Sequence, residues 1–197
     1  MCIRDSNQRY KSKDFLVLTF TPKEALTSES SINNILSLKY KIQSLDWVHS
    51  VVTILDVPLL ESSDEPLMDR IKNFRTLKDE NIDKERAFNE ILNSPVFKNL
   101  VISEDATTTG IIVNLKRKKV LESSAFDNEK EFEDYKDKLK SENHANIKEI
   151  REVIVSFKNI GKIHLGGIPM IADDMMTFIK NDIIAVSYTH LTLPTKA

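Results

Sequence analysis

The chain has 197 residues, of which 41% are apolar and 29% charged, a composition typical of a folded domain rather than a disordered segment. The formal net charge is only −2, from 28 basic and 30 acidic residues, so the basic surplus of a nucleic-acid-binding protein is missing. Without a run of about eighteen apolar residues the sequence as written predicts no complete membrane span. The single cysteine, Cys2, has no internal partner for a disulfide.

The two ends of the chain lack the periodicity of their neighbours. Residues 1–6 (MCIRDS) and 186–197 (VSYTHLTLPTKA) both resemble translated sequencing-adapter sequence, and a genuine frayed terminus is the alternative. We expect both segments to be artefacts, so Cys2 and His190 are given no chemical role.

Residues 13–58 are predicted to form a strand–helix–strand unit. The run FLVLTF at residues 15–20 indicates a central strand, and a helix over residues 28–44 follows it. The next strand is predicted at residues 48–57, ended by Pro58. The helix carries one apolar stripe, which the aliphatic stem of Lys39 helps to cover. The stripe consists of Ile32, Ile35, Leu36, Ile42 and Leu45.

Residues 59–108 break this pattern and are predicted to be an insertion. An acidic loop at residues 61–66 leads to a short amphipathic turn, and a helix at residues 82–92 is stopped by Ser94 and Pro95. The β-rich segments 99–103 and 109–115 suggest a hairpin. Because its apolar residues are sparse, we expect the insertion to protrude from the sheet and to be held less tightly.

Residues 109–172 are predicted to supply the second half of the domain. A strand near residues 109–116 is followed by a charged helix at 128–140, a second helix at 146–157, a glycine after its end at Gly161, and a strand at 162–166. The two halves predict an α+β fold, a ferredoxin-like βαββαβ layer with a long insertion. We expect both main helices on one face of a mixed sheet. The basic run at residues 116–119 is interpreted as a guarded sheet edge, with anionic-lipid or nucleic-acid contact as the alternative.

The segment KIHLGGIPMIADDMMTFIKNDIIA, residues 162–185, predicts a strand that turns sharply into a helix. Gly166 and Gly167 can both adopt positive φ, and Pro169 prevents the strand from continuing. We expect the helix to begin near Asp173, with Asp173 and Asp174 as first-turn caps; acid–base carboxylates are the alternative.

The same helix carries an apolar stripe of Met175, Met176, Ile179 and Ile183 that broadens toward residue 185. Residues 173–185 are therefore predicted to begin a truncated transmembrane helix, with Lys180 and Asp182 near the water interface. The methionine cluster, which includes Met170, is interpreted as core filling, with an adaptable surface for lipid-like ligands as the alternative.

The sequence nominates no catalytic set. A nucleophile elbow, a phosphate-binding loop and a dinucleotide fingerprint are all missing. His49, His144 and His164 are scattered without metal-ligand spacing, so structural or exposed positions are expected for them. We expect no enzymatic activity and no catalytic, cofactor-binding or metal-binding residue.

Three segments together resemble the RND superfamily of exporters, in its MmpL-like group. They are DFLVLTFTPKEALTSESSINNILSLKYKIQSLDWVHSVVTILDVP, IDKERAFNEILNSPVFKNLVISEDATTTGIIVNL and LGGIPMIADDMMTFIKNDI. The resemblance covers about residues 13–184 and corresponds to the first extracytoplasmic porter loop, between the first and second transmembrane helices.

This resemblance implies a fragment of a proton-driven exporter in the inner membrane, with the segment on its periplasmic side. The fragment would bind or gate hydrophobic or lipid-like molecules together with the rest of the transporter chain, and a homo-oligomer is left open. In this family the proton-relay acids lie in membrane helices outside the segment, so the fragment is not expected to pump. The alternative is a stand-alone ferredoxin-like binding or assembly module.

Overall fold

The computed structural model describes residues 14–59, 75–79, 82–116 and 120–191, with side chains up to residue 186. The strands are β1 (Phe15–Pro22), β2 (Val48–Val52), β3 (Thr109–Leu115) and β4 (Gly161–Gly166). The α-helices are α1 (Glu29–Gln43), α2 (Lys84–Asn93), α3 (Glu129–Ser156) and α4 (Ile168–Leu191). The segment 1–6, the predicted acidic loop at 61–66, residues 117–119 of the basic run and residues 192–197 lie outside the described residues.

The four strands form one sheet in the order β2-β3-β1-β4. Each neighbouring pair is antiparallel; Leu18 of β1, for example, lies opposite Ile111 of β3 on one side and Leu165 of β4 on the other. The α+β class is therefore as predicted. The expectation of a mixed sheet is wrong, because strands that run in the same direction are never neighbours: β3 separates β1 from β2, and β1 separates β3 from β4.

In the described part of the chain, one face of the sheet is buried and the other is at least partly exposed. Along β1, Leu16, Leu18 and Phe20 are 0% exposed, whereas Thr19 between them faces outward. This alternation follows from the two-residue period of a strand. The apolar sides of α1 and α3 belong to the same core cluster as the buried side chains of β1. Both helices therefore pack on the buried face of the sheet, as the sequence predicts. Their buried apolar residues are Ile32, Ile35, Leu38 and Ile42 of α1, and Ile147, Ile150 and Val153 of α3.

The second strand is shorter than the sequence predicts. It ends at Val52, and the chain then forms a 3₁₀ turn over Ile54–Asp56. Thr53 caps this turn by accepting the backbone N–H of Leu55, while the Asp56 carboxylate accepts the N–H of Thr53. This reciprocal capping diverts the chain out of the sheet before Pro58.

The described part of the insertion contributes to the common core. Asp83 caps α2 by accepting the backbone N–H groups of Glu85 and Arg86. The insertion has six buried apolar residues in the same core cluster as β1, so this part shares the core of the domain rather than forming one of its own. They are Leu59, Leu77, Ala87, Phe88, Ile91 and Ile102. The predicted hairpin is reduced to an isolated bridge between Ile102 and Thr109.

The charged and apolar helices predicted at residues 128–140 and 146–157 are one continuous helix. α3 has 28 residues, and Asn128 caps it by accepting the backbone N–H of Glu131. Residues 141–145 (SENHA) contain neither proline nor glycine, so nothing breaks the helix there. Gly161 is not a helix cap but lies in β4, where an added Cβ would come within 2.9 Å of the Pro22 Cα atom.

Candidate functional site

The turn between β4 and α4 depends on one of the two predicted glycines. Gly167 has φ +127°, a conformation that favours glycine, whereas Gly166 completes β4 and is not among the positive-φ residues. α4 already begins at Ile168, so Pro169 lies in the first turn, where its missing N–H costs no hydrogen bond. The prediction of a helix start near Asp173 is therefore wrong.

Asp173 and Asp174 lie within α4 and do not cap it, so the capping interpretation is also wrong. The buried carboxylate of Asp173 is 2.8 Å from Nδ1 of His144 on α3. The Asp174 carboxylate accepts a hydrogen bond of 2.7 Å from the Arg151 guanidinium, also on α3. The first carboxylates of α4 thus join the two helices. Asp182 is exposed farther along α4.

A groove of about 1220 Å³ lies between α3 and α4, at the end of the sheet where β1 and β2 begin and β3 ends. Its apolar lining comes from Trp47, Leu115, Val120, Leu139, Ile168 and Met176. Its charged lining comes from Asp14, Asp46, Lys116, Asp137, Lys140 and Lys180, together with the His144–Asp173 pair. An apolar concavity with a few convergent polar groups is the usual form of a small-molecule site.

Hydrogen bonds hold the groove walls. The indole N–H of Trp47 donates to the Glu149 carboxylate of α3 at 2.7 Å, which joins the start of β2 to α3. The Asn143 side-chain amide donates to the Pro169 carbonyl at 2.9 Å, which joins α3 to the first turn of α4. A hydrogen bond from Lys140 lowers the pKa of Asp137, and that carboxylate remains charged at the groove rim. The site therefore offers binding surface and fixed charge.

α4 also exposes many large apolar side chains to the solvent, two of which, Ile168 and Met176, line the groove. Exposed fractions reach 80% at Ile168 and 67% at Phe178. The other exposed apolar residues of this helix are Ile171, Met175, Met176, Ile179, Ile183, Ile184 and Val186. Core filling thus applies to Met170, which packs against the core, but not to Met175. Among the described residues, no helix combines the length and the apolar character that crossing a membrane requires.

The three histidines occupy different places. His49 and His164 are exposed on strands, as expected, whereas His144 lies at the groove and bonds to Asp173. Within the part of the chain that the structure describes, no group of three or more His, Cys, Asp or Glu side chains could hold a metal ion. Sequence reasoning missed the His144–Asp173 pair because its members are 29 residues apart on separate helices, without a shared motif.

No protein-family model matches this chain, and no curated protein sequence matches it either.

Proposed function

We propose that the chain is the extracytoplasmic substrate-binding or gating portion of an RND-type exporter of the MmpL-like group. We further propose that its sheet is the ferredoxin-like βαββαβ porter layer of that loop. The strand order β2-β3-β1-β4 and the antiparallel pairing of neighbours support this topology. The positions of α1 after β1 and of α3 after β3 support it as well.

The observation that carries the proposal is the exposed apolar surface of α4. Between Ile168 and Val186 this helix exposes more large apolar side chains than any other described element of the domain. A contiguous apolar surface of this kind marks a site of protein or membrane contact. We propose that α4 leads into a membrane helix and tethers the domain to the outer face of the inner membrane. Lys180 and Asp182 would then lie at the water interface.

The groove supplies the proposed ligand site. Trp47, Leu139 and Met176 offer apolar contact, and Lys116, Lys140 and Lys180 place positive charge beside it. A hydrophobic or lipid-like molecule with a polar end fits this chemistry, with the apolar part against the wall and the polar part at the rim. Binding and gating require no reacting group, in keeping with the proposal of a non-catalytic role.

A second candidate function is a stand-alone binding or assembly module. The apolar face of α4 favours it too, because the same surface would be covered in a homo-oligomer. The two proposals differ in what covers Phe178 and its neighbours: lipid in the first, a second copy of the chain in the second. A stable dimer of the 197-residue chain in sedimentation, with no affinity for vesicles, would support the module.

Vesicle flotation tests the exporter proposal directly. The chain is mixed with vesicles of phosphatidylcholine and phosphatidylglycerol, and we expect it to float with them. Phe178→Glu places a charge on the exposed face of α4 and is expected to leave the protein in the aqueous fraction. Val155→Glu, at a 55% exposed position of α3, is the matched control and is expected to float like the wild type.

The native gene provides the second test. The tether predicts about twenty mostly apolar residues directly after position 185 in the uninterrupted reading frame. A polar segment or a stop codon at that place in the genomic sequence would overturn the tether.

A further inference from the structure

The contact between α3 and α4 relies on polar side chains. Three polar contacts between described residues connect the helices: Asn143 to the Pro169 carbonyl, His144 to Asp173, and Arg151 to Asp174. The apolar side chains of α4 mostly point away from the domain. These polar contacts therefore help to attach α4 to α3, beside the packing of Met170 against the core.

The chain between β4 and α4 is suited to a change in the helix angle. Gly167 connects the two elements with φ +127°. Hinge closure in proteins is absorbed by a few residues at the ends of elements, and Gly167 occupies such a position. Since α4 forms one wall of the groove and α3 the other, the angle between the helices determines the width of the groove.

The His144–Asp173 pair is unequal in its access to water. The Asp173 side chain is 7% exposed, whereas the His144 side chain is 59% exposed. Solvent protons therefore reach the imidazole while the carboxylate remains enclosed. Imidazole is the side-chain group that ordinarily changes charge between about pH 5 and pH 8. When the ring is protonated, its hydrogen bond to a carboxylate becomes charge-assisted on both sides and strengthens.

We propose that His144 and Asp173 form a protonation-dependent latch that holds α4 against α3 and sets the width of the groove. The latch is tighter at acidic pH and looser at alkaline pH. The inference rests on the proposed function in one respect, that the groove is the ligand site whose access the latch regulates.

Other charges around the groove do not supply this pH dependence. They are Asp14 before β1, Asp46 before β2, Lys116 after β3, Asp137 and Lys140 on α3, and Lys180 on α4. Carboxylates and ammonium groups ordinarily change charge outside the range of about pH 5 to pH 8. The Arg151–Asp174 bond likewise joins a guanidinium and a carboxylate and contains no imidazole.

Amide hydrogen exchange on the full chain, without ligand or vesicles, tests the latch. Exchange is followed at about pH 5.5 and about pH 8 and corrected for the intrinsic pH dependence of amides. We expect the amides of α4 around Asp173 to be about two- to fivefold better protected at the lower pH, the range of a partly exposed ion pair. His144→Gln and Asp173→Asn should both remove this difference.

His164→Gln is the matched control, because His164 is an exposed histidine on β4 that does not line the groove. It should retain the full pH difference. The latch is overturned when wild-type α4 is equally protected at both pH values, when His144→Gln keeps the difference, or when His164→Gln abolishes it.

A second readout covers the case in which a variant fails to fold. Trp47 is the single tryptophan of the chain and lines the groove, so its emission reports the groove environment. In the wild type, the midpoint of its emission change should coincide with the titration midpoint of the His144 ring measured by NMR. Separate midpoints overturn the latch. Neither measurement involves lipid, so a failed latch leaves the flotation result standing, and the reverse also holds.

Discussion

The ammonium nitrogen of Lys39, on α1, lies 2.5 Å from a carboxylate oxygen of Asp56, although the Lys39 side chain is only 10% exposed. Asp56 also pairs with Lys78, in the described part of the insertion, and accepts the backbone N–H of Thr53. One carboxylate thus joins the first helix, the turn after β2 and the insertion. Because a buried charge without a partner is costly, this cluster fixes the relation of the three segments.

The Asp56 cluster predicts a loss of stability in acid. Burial alone would raise the pKa of Asp56, but hydrogen bonds from Lys39, Lys78 and Thr53 outweigh it and lower the pKa from 3.8 to about 2. The contribution of ionised Asp56 to the free energy of unfolding is complete above about pH 4. It is lost as the pH falls through about 2, because Asp56 in the folded state is protonated only there. We expect a loss of about 2 kcal/mol in the free energy of unfolding, measured by denaturant titration at each pH.

Replacement of the carboxylate tests the same cluster at neutral pH. Asp56→Asn leaves the Lys39 ammonium without its counter-charge, and we expect it to destabilise the fold by about 3 kcal/mol at pH 7. The acid-dependent step below pH 4 should then be much smaller in this variant. Asp127→Asn, at an exposed position before α3, is the control and should stay within about 0.5 kcal/mol of the wild type. Equal stability of Asp56→Asn and wild type would show that the cluster does not hold the fold.

The one-sided sheet predicts opposite tolerance at adjacent positions of β1. Leu18 is 0% exposed, and Leu18→Ala should cost about 3 kcal/mol because it leaves a cavity between the sheet and its helices. Val17 points to the open face and is partly exposed, so Val17→Ala should cost less than about 1 kcal/mol. Urea unfolding of both variants measures the difference. Comparable losses at the two positions would mean that both faces of β1 are covered.

The two glycines before α4 are predicted to respond differently to alanine. Gly167→Ala should cost about 2 kcal/mol, because φ is +127° and the new Cβ would lie 2.9 Å from the Phe15 carbonyl oxygen. Gly166→Ala is the control, since its Cβ would meet only the Val17 oxygen at 3.8 Å. Thermal unfolding distinguishes the two variants. If Gly166→Ala lost as much stability as Gly167→Ala, the backbone strain would not be specific to Gly167.

The parts of the fold that could be predicted are those with a periodic apolar pattern. β1 alternates between the two faces of the sheet and α1 carries one stripe, so local sequence and burial agree. The sequence predicts two helices in place of α3 because no large apolar side chain occurs between Leu139 and Ile147. A helix does not need an apolar face to continue, and residues 141–145 contain no breaker.

The candidate site was less accessible to prediction. Asp173 and Asp174 resembled caps because they follow a turn and precede an apolar stripe, but α4 begins at Ile168 and places them on its α3 side. Their partners His144 and Arg151 are fixed by the crossing of two helices, which no local pattern in one sequence specifies. The sequence predicts the position of the glycine turn. Only the backbone angles show that Gly167, and not Gly166, adopts positive φ.

The insertion is predicted to unfold together with the rest of the domain. Phe88, on α2, is 3% exposed and belongs to the same core cluster as Leu18, so its removal leaves a cavity that the sheet and the insertion share. Phe88→Ala should therefore cost about 4 kcal/mol and lower the stability of the whole chain in a single transition. Leu92→Ala, at a partly exposed position of the same helix, is the control and should cost about 1 kcal/mol or less.

Circular dichroism and Trp47 fluorescence are followed during denaturation of both variants. Circular dichroism reports all helices, whereas Trp47 reports the groove, which the described residues of the insertion do not line. Coincident curves that shift together in Phe88→Ala support a shared core. An early transition seen by circular dichroism alone, with the Trp47 curve unchanged, would mean that the insertion folds and unfolds by itself, as its sparse apolar sequence suggests.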